Sequence, residues 1–166
     1  MTSRGPNGET LGEMLMLSEY VAHEYPGARA FLRLGLGTIE TVVTMPGLEA
    51  ADLGQFKGLR RYADAVIILP TELILLEAKM RAEPGAIAQL GLYARLVPLT
   101  PELQPYLDRP LVKELVFAIP DPVVSLLAAD AGVRIKTYRP AWLAQWSAER
   151  NRRKSRVPRT GGLVPD

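Results

Sequence analysis

The chain has 166 residues, 48% of them hydrophobic, and a formal net charge of +2. That length suits one domain with a real apolar core. No apolar run reaches the roughly 20 residues that a bilayer span needs, and a chain without cysteine has no disulfide framework, thiolate nucleophile or Cys-rich zinc site. The polar opening MTSRGPNGET reads as lacking a secretory h-region, so a cytoplasmic location with no membrane partner is expected.

Residues 1–9 read as a disordered lead-in, 10–148 as the folded domain and 149–166 as a basic tail. From Thr10 to about Glu24 the composition is helical, with Leu11, Met14, Leu15, Leu17 and Val21 as its apolar positions, and Pro26-Gly27 ends it. Ala30 to Val43 reads as a first strand with a bend, and 46–58 as a glycine-bearing connection. Tyr62 to Leu69 and Leu73 to Lys79 read as two strands joined by the turn Pro70-Thr71-Glu72. Both are apolar on both faces, as covered central strands are. Ala86 to Val97 is expected to be a helix. Residues 98–110, with four prolines, are expected to be a loop. Leu111 to Ile119 is a further strand. Pro122 to Ala131 is a short helix closed by Gly132, and Val133 to Tyr138 alternates like an edge strand. Pro140 is expected to open a last helix, running through Trp142 and Trp146 into the tail. The order α-β-β-β-α-β-α-β-α implies an α/β sandwich, a mixed central sheet with helices on its faces.

Three polar residues interrupt the apolar hairpin. Side chains two apart on a strand share a face, so Glu77 and Lys79 project together and Ala78 turns the other way. The turn at 70–72 brings Asp64 back beside them. Charges on covered strands are costly unless paired or metal-bound. Two carboxylates on a rigid sheet suit Mg²⁺ or Mn²⁺. A neighbouring lysine suits a water nucleophile or a transition-state phosphate. That chemistry is metal-assisted phosphodiester hydrolysis.

With Asp64 followed by Glu77-Ala78-Lys79 on the next strand, the chain resembles the PD-(D/E)XK nuclease superfamily over roughly residues 10 to 140. Ala63 stands before Asp64, at a position where proline is common in that superfamily. Gln89 and Tyr93 form the Q-x-x-x-Y motif of its RecB/Cas4-like branch, and residues four apart share a helix face. The cysteines of iron–sulfur members are absent. The resemblance implies a restriction-endonuclease-like core of order αβββαβ acting on DNA. Asp64, Glu77, Lys79, Gln89 and Tyr93 are then catalytic, and the metal falls to Asp64, Glu77, Ala78 and an acid of the first helix. Glu13 is the best candidate for that acid, with Glu9, Glu19 and Glu24 as rivals.

Arg60 and Arg61 ahead of the catalytic strand, and Arg150, Arg152, Arg153 and Lys154 in the tail, are expected to meet DNA phosphates, positioning rather than reading it. A homodimer or a larger DNA-processing complex is the expected assembly. Blander readings stand beside these. Asp64 is then a partner for Arg60 or Arg61, Glu77 and Lys79 a same-face charge pair, and Tyr93 a core residue. The tail is solvated, and the two tryptophans are packed rather than stacked on bases. His23, the single histidine, reads as a surface residue near a helix end. The alternative functions are a non-cutting nuclease-fold module that binds nucleic acid or a partner protein, and a structural or assembly protein.

Overall fold

The computed structural model describes residues 11–38 and 61–155, with side chains as far as Arg152. Helix α1 spans Leu11–Glu24, and strands β1, β2 and β3 span Arg29–Leu36, Arg61–Ile68 and Leu73–Arg81. Helix α2 spans Pro84–Leu96 and β4 Leu111–Ile119, followed by helix α3 at Pro122–Asp130 and β5 at Val133–Thr137. Helix α4 closes the described chain at Leu143–Ser155. Among the described residues the expected order αβββαβ is therefore the order observed.

The five strands lie in chain order across one sheet. β1, β2 and β3 pair antiparallel, whereas β3, β4 and β5 pair parallel. Parallel neighbours need crossover helices, and such crossovers are right-handed. Because β3, β4 and β5 advance in one direction across the sheet, α2 and α3 fall on the same face. Their buried residues Ala86, Leu90, Tyr93, Val124 and Ala128 pack there with Leu73, Leu75, Leu115 and Phe117. The opposite face is covered by Met16, Leu17 and Tyr20 of α1, joined by Trp142, Leu143 and Trp146. With apolar layers on both sides, β3 is buried from Leu73 to Ala78, which accounts for its lack of alternation. Among the described residues no helix is long and apolar enough to cross a membrane.

Several elements differ from the sequence reading: β1 ends at Leu36, short of the expected Val43, and β3 runs on past Lys79 to Arg81. The proline-rich segment is not a free loop but two 3₁₀ helices, Val97–Leu99 and Pro101–Tyr106. Each has proline in its first turn, where the missing N–H costs nothing. Leu103 is fully buried, and Thr100 bonds both Leu96 O and Gly37 N. Helix α2 starts two residues earlier than expected, again on a first-turn proline, Pro84. Helix α4 starts later, because Pro140 belongs to a turn in which its carbonyl accepts from Leu143 N. Gly132 follows α3 at φ 63°, the left-handed conformation that a helix-ending glycine supplies.

Candidate active site

The strands β2 and β3 form a fork. Their register runs from Ile68↔Leu73 to Ala65↔Leu76 and pairs no further, while β3 stays paired with β4 as far as Arg81. Beyond Leu76 the β2-side edge of β3 therefore lacks its ladder partner. Backbone N–H groups at i and i+2 point to the same edge, and buried N–H groups need acceptors. Here two carboxylates take that place. Asp64 Oδ2 accepts from Ala78 N at 2.8 Å, and Glu13 Oε1 accepts from Met80 N at 3.3 Å.

The pleat explains how Asp64 reaches that edge. In β2, Val66 and Ile68 face the α2 side and Ala65 and Ile67 the α1 side, yet Ala63 is again on the α2 side. Strand β1 does the same, with Phe31, Leu34 and Leu36 all on the α2 side. The alternation resets in both strands between Leu32↔Ala65 and Leu34↔Ala63, where Arg33 and Asp64 lie opposite each other. Arg33 has φ 52°, a strained conformation for a residue with a Cβ. Asp64 thus sits where the strand turns over, and its carboxylate reaches the edge of β3.

Glu77 and Lys79 continue the row of Leu73 and Leu75 toward α2. Glu77 is fully buried, and its Oε1 lies 2.8 Å from Lys79 Nζ, a side chain that is 12% exposed. Burial alone would lower the Lys79 ammonium. Attraction to Glu77, then to Asp64 and Glu13, outweighs that and holds it well above the usual lysine range. Lys79 is a firm cation paired with Glu77 and within the field of Asp64 and Glu13.

On α2, Gln89 Nε2 donates to Tyr93 Oη at 2.7 Å, so the two ends of the Q-x-x-x-Y motif hold each other. Burial pushes the buried Tyr93 hydroxyl up. The Gln89 bond opposes this, while the charges of Glu77 and Asp64 add to it. Tyr93 is thereby within electrostatic reach of the acid pair. The structure brings together Asp64, Glu77, Ala78, Lys79 and Glu13, with Tyr93 and Gln89 on the α2 side. The rivals of Glu13 are engaged elsewhere: Glu19 accepts from Trp142 Nε1 at 2.8 Å, and Glu24 pairs with Lys136 at 2.7 Å. Glu9 lies outside the described residues.

The expected DNA contacts are scattered. Arg61 is exposed at the start of β2, and Arg60 lies outside the described residues. Arg150 and Arg152 are exposed on α4, and Arg153 and Lys154 belong to the same helix. Both tryptophans pack against the α1 layer. His23 is exposed, its ring centroid 6.0 Å from that of Tyr138.

As metal ligands, the carboxylates offer hard oxygen donors at one fork. Among the described residues no three acidic, imidazole or thiol side chains gather into a ready cage.

The sequence reading missed Glu114. It is fully buried in β4 and accepts from Tyr20 Oη at 2.7 Å and from Tyr25 Oη at 2.8 Å, with Arg134 Nη1 at 3.5 Å. Its signal, a lone acid in LVKELVFAI, is the same one that singled out Glu77. The bonds run to α1 and to the turn after it, so Glu114 seats the helix that carries Glu13.

No family model matches the sequence, and no curated protein matches it. Among solved structures the chain is similar to one described as "Structure of EndoMS-dsDNA2 complex", at 15% identity and a TM-score of 0.47. The similarity covers 80% of this chain and 46% of that one, so the chain spans about half the length of that protein.

Proposed function

We propose that the protein is a metal-dependent deoxyribonuclease that hydrolyses phosphodiester bonds at Asp64, Glu77 and Lys79. The observation that carries this is the meeting of these three residues at the β2–β3 fork, with Glu77 wholly buried and Lys79 charged beside it. Asp64 and Glu77 would hold Mg²⁺ or Mn²⁺, with the Ala78 carbonyl and Glu13 as further oxygen donors. Such an ion polarises a phosphate oxygen and lowers the pKa of a bound water. Lys79 keeps its proton at neutral pH, so its part is electrostatic: it stabilises negative charge developing on the phosphate. Tyr93, fixed by Gln89, walls the site on the α2 side. Arg60, Arg61 and the basic end of α4 neutralise backbone phosphates without reading bases.

Two observations favour a second reading. The 2.8 Å Lys79–Glu77 contact and the Asp64 bond to Ala78 N also suit a set of charges that only closes the fork. The protein would then be a non-cutting module that binds nucleic acid or a partner protein. Calorimetry with Mn²⁺, beside digestion of linear, circular, single-stranded, flapped and four-way DNA, separates the two. The nuclease reading expects Mn²⁺ heat that Asp64→Ala abolishes, and cutting of at least one DNA form that Glu77→Gln abolishes. Absence of both leaves the non-cutting module.

A further inference from the structure

Beside the acid cluster, a second polar hollow opens between the sheet and α4. It is lined by Arg81 at the end of β3, by Ile119, the register partner of Arg81 on β4, and by Trp146, Ser147, Arg150 and Asn151 of α4. Its volume is about 80 Å³, room for several waters. Trp146 and Arg150, like Ser147 and Asn151, are four residues apart and share a helix face.

The hollow is built, not incidental. Gly12 of α1 lets the Trp146 indole sit close: a Cβ on Gly12 would meet the indole Nε1 at 2.8 Å. The indole in turn carries Arg150, whose guanidinium carbon lies 5.1 Å from the ring centroid, within cation–π range. Two guanidiniums, a hydroxyl and a carboxamide line the hollow, and none of its six residues is acidic. Glu83, two residues past Arg81, is exposed, and two other acids near the hollow are turned to other groups. Glu13 accepts from Met80 N, and Glu149 accepts from Gln145 at 3.4 Å. Guanidinium forks match phosphate oxygens, with two parallel N–H donors to one anion.

We infer that this hollow is a phosphate subsite, taking a backbone phosphate of the substrate strand next to the one at the acid cluster. Trp146 of the hollow lies against Gly12, whose chain neighbour Glu13 bonds Met80 N at the fork, so the hollow adjoins the acid cluster. The anion chemistry rests on the hollow itself. The identity of the strand as substrate rests on the nuclease reading.

The test is binding of a labelled DNA oligonucleotide in EDTA across a salt series. Wild type is compared with Arg81→Gln, Arg150→Gln and the double variant. Each lost phosphate contact flattens the log K against log[salt] slope by about 0.7–0.9. The expected result is one such step at most in the double variant, a smaller change in each single variant, and severalfold weaker binding at low salt. A second readout is Trp146 emission in a Trp142→Phe background, expected to change on adding the oligonucleotide and, at higher concentration, inorganic phosphate. An unchanged slope and affinity in the double variant overturns the subsite, as does a Trp146 signal that ignores the oligonucleotide. If wild type cuts DNA while the double variant binds normally, only the subsite fails. If nothing cuts but the slope still falls, the subsite stands and the nuclease reading fails.

Discussion

Lys79→Met isolates the energetics of the acid cluster. The Lys79 Nζ lies 2.8 Å from a Glu77 oxygen, with side-chain exposures of 12% and 1%. Removing one partner of a buried pair costs about 3–5 kcal/mol, because the other charge stays buried. With a urea m-value of about 2 kcal/mol/M, the midpoint falls by roughly 1.5–2.5 M. The double variant Glu77→Leu/Lys79→Met removes both charges and fills the space with apolar groups. It is expected to match wild type or exceed it by about 1–4 kcal/mol. The pH dependence has a defined sign. In Lys79→Met the Glu77 carboxylate stays buried without the ammonium beside it, so folding favours its protonation. The deficit is therefore full at neutral pH and shrinks as pH falls through the carboxylate range. The assay is urea unfolding at pH 7 and pH 4.5, read as a double-mutant cycle. A single variant within 0.5 kcal/mol of wild type refutes the reasoning, as does a double variant no more stable than the single.

Other outcomes follow from the packing. Glu114→Ala leaves the buried Tyr20 hydroxyl and the half-buried Tyr25 hydroxyl without their acceptor, the first costing about 1–3 kcal/mol; a urea midpoint close to wild type would contradict the network. Tyr20 and Tyr25 are pushed up by burial and by Glu114, and Tyr93 chiefly by burial. A raised folded pKa gives stability that is full below the usual tyrosine value near 10 and is lost as pH climbs above it. Unfolding midpoints should fall between pH 9 and 11, and less steeply in Tyr20→Phe; an equal fall in that variant counts against the assignment. Gly12→Ala gains about 1 kcal/mol of helix propensity but sets a Cβ 2.8 Å from Trp146 Nε1, and such overpacking costs about 1–3 kcal/mol. A lower Tm with a shifted tryptophan emission is expected, and a raised Tm would show that the indole sits elsewhere.

Much of this architecture was legible because apolar runs were bounded by turn residues. Strand β4 has the bounds expected from LVKELVFAI between prolines, and the hairpin register agrees with placing Asp64 and Glu77 equally far from the bend. What the sequence concealed had physical causes. Proline breaks a helix interior yet suits a first turn, so 98–110 looked like a loop and Pro140 like a helix start. Arg33 adopts a left-handed φ with no glycine or asparagine to announce it. The pleat reversal it accompanies sends Asp64 to the edge of β3, which strand alternation does not foresee. Glu114 had no second acid two residues away to mark it, and its tyrosine partners come from 94 and 89 positions earlier in the chain.

The most direct test of the central claim is the single-turnover rate of DNA cleavage in Mn²⁺ for wild type and Glu77→Gln, which keeps the shape of the buried side chain and removes its charge. The account predicts that wild type cuts and that the variant is slower by at least about 10²–10³-fold, the scale of losing one preorganised electrostatic group. Equal rates in the two proteins would contradict it.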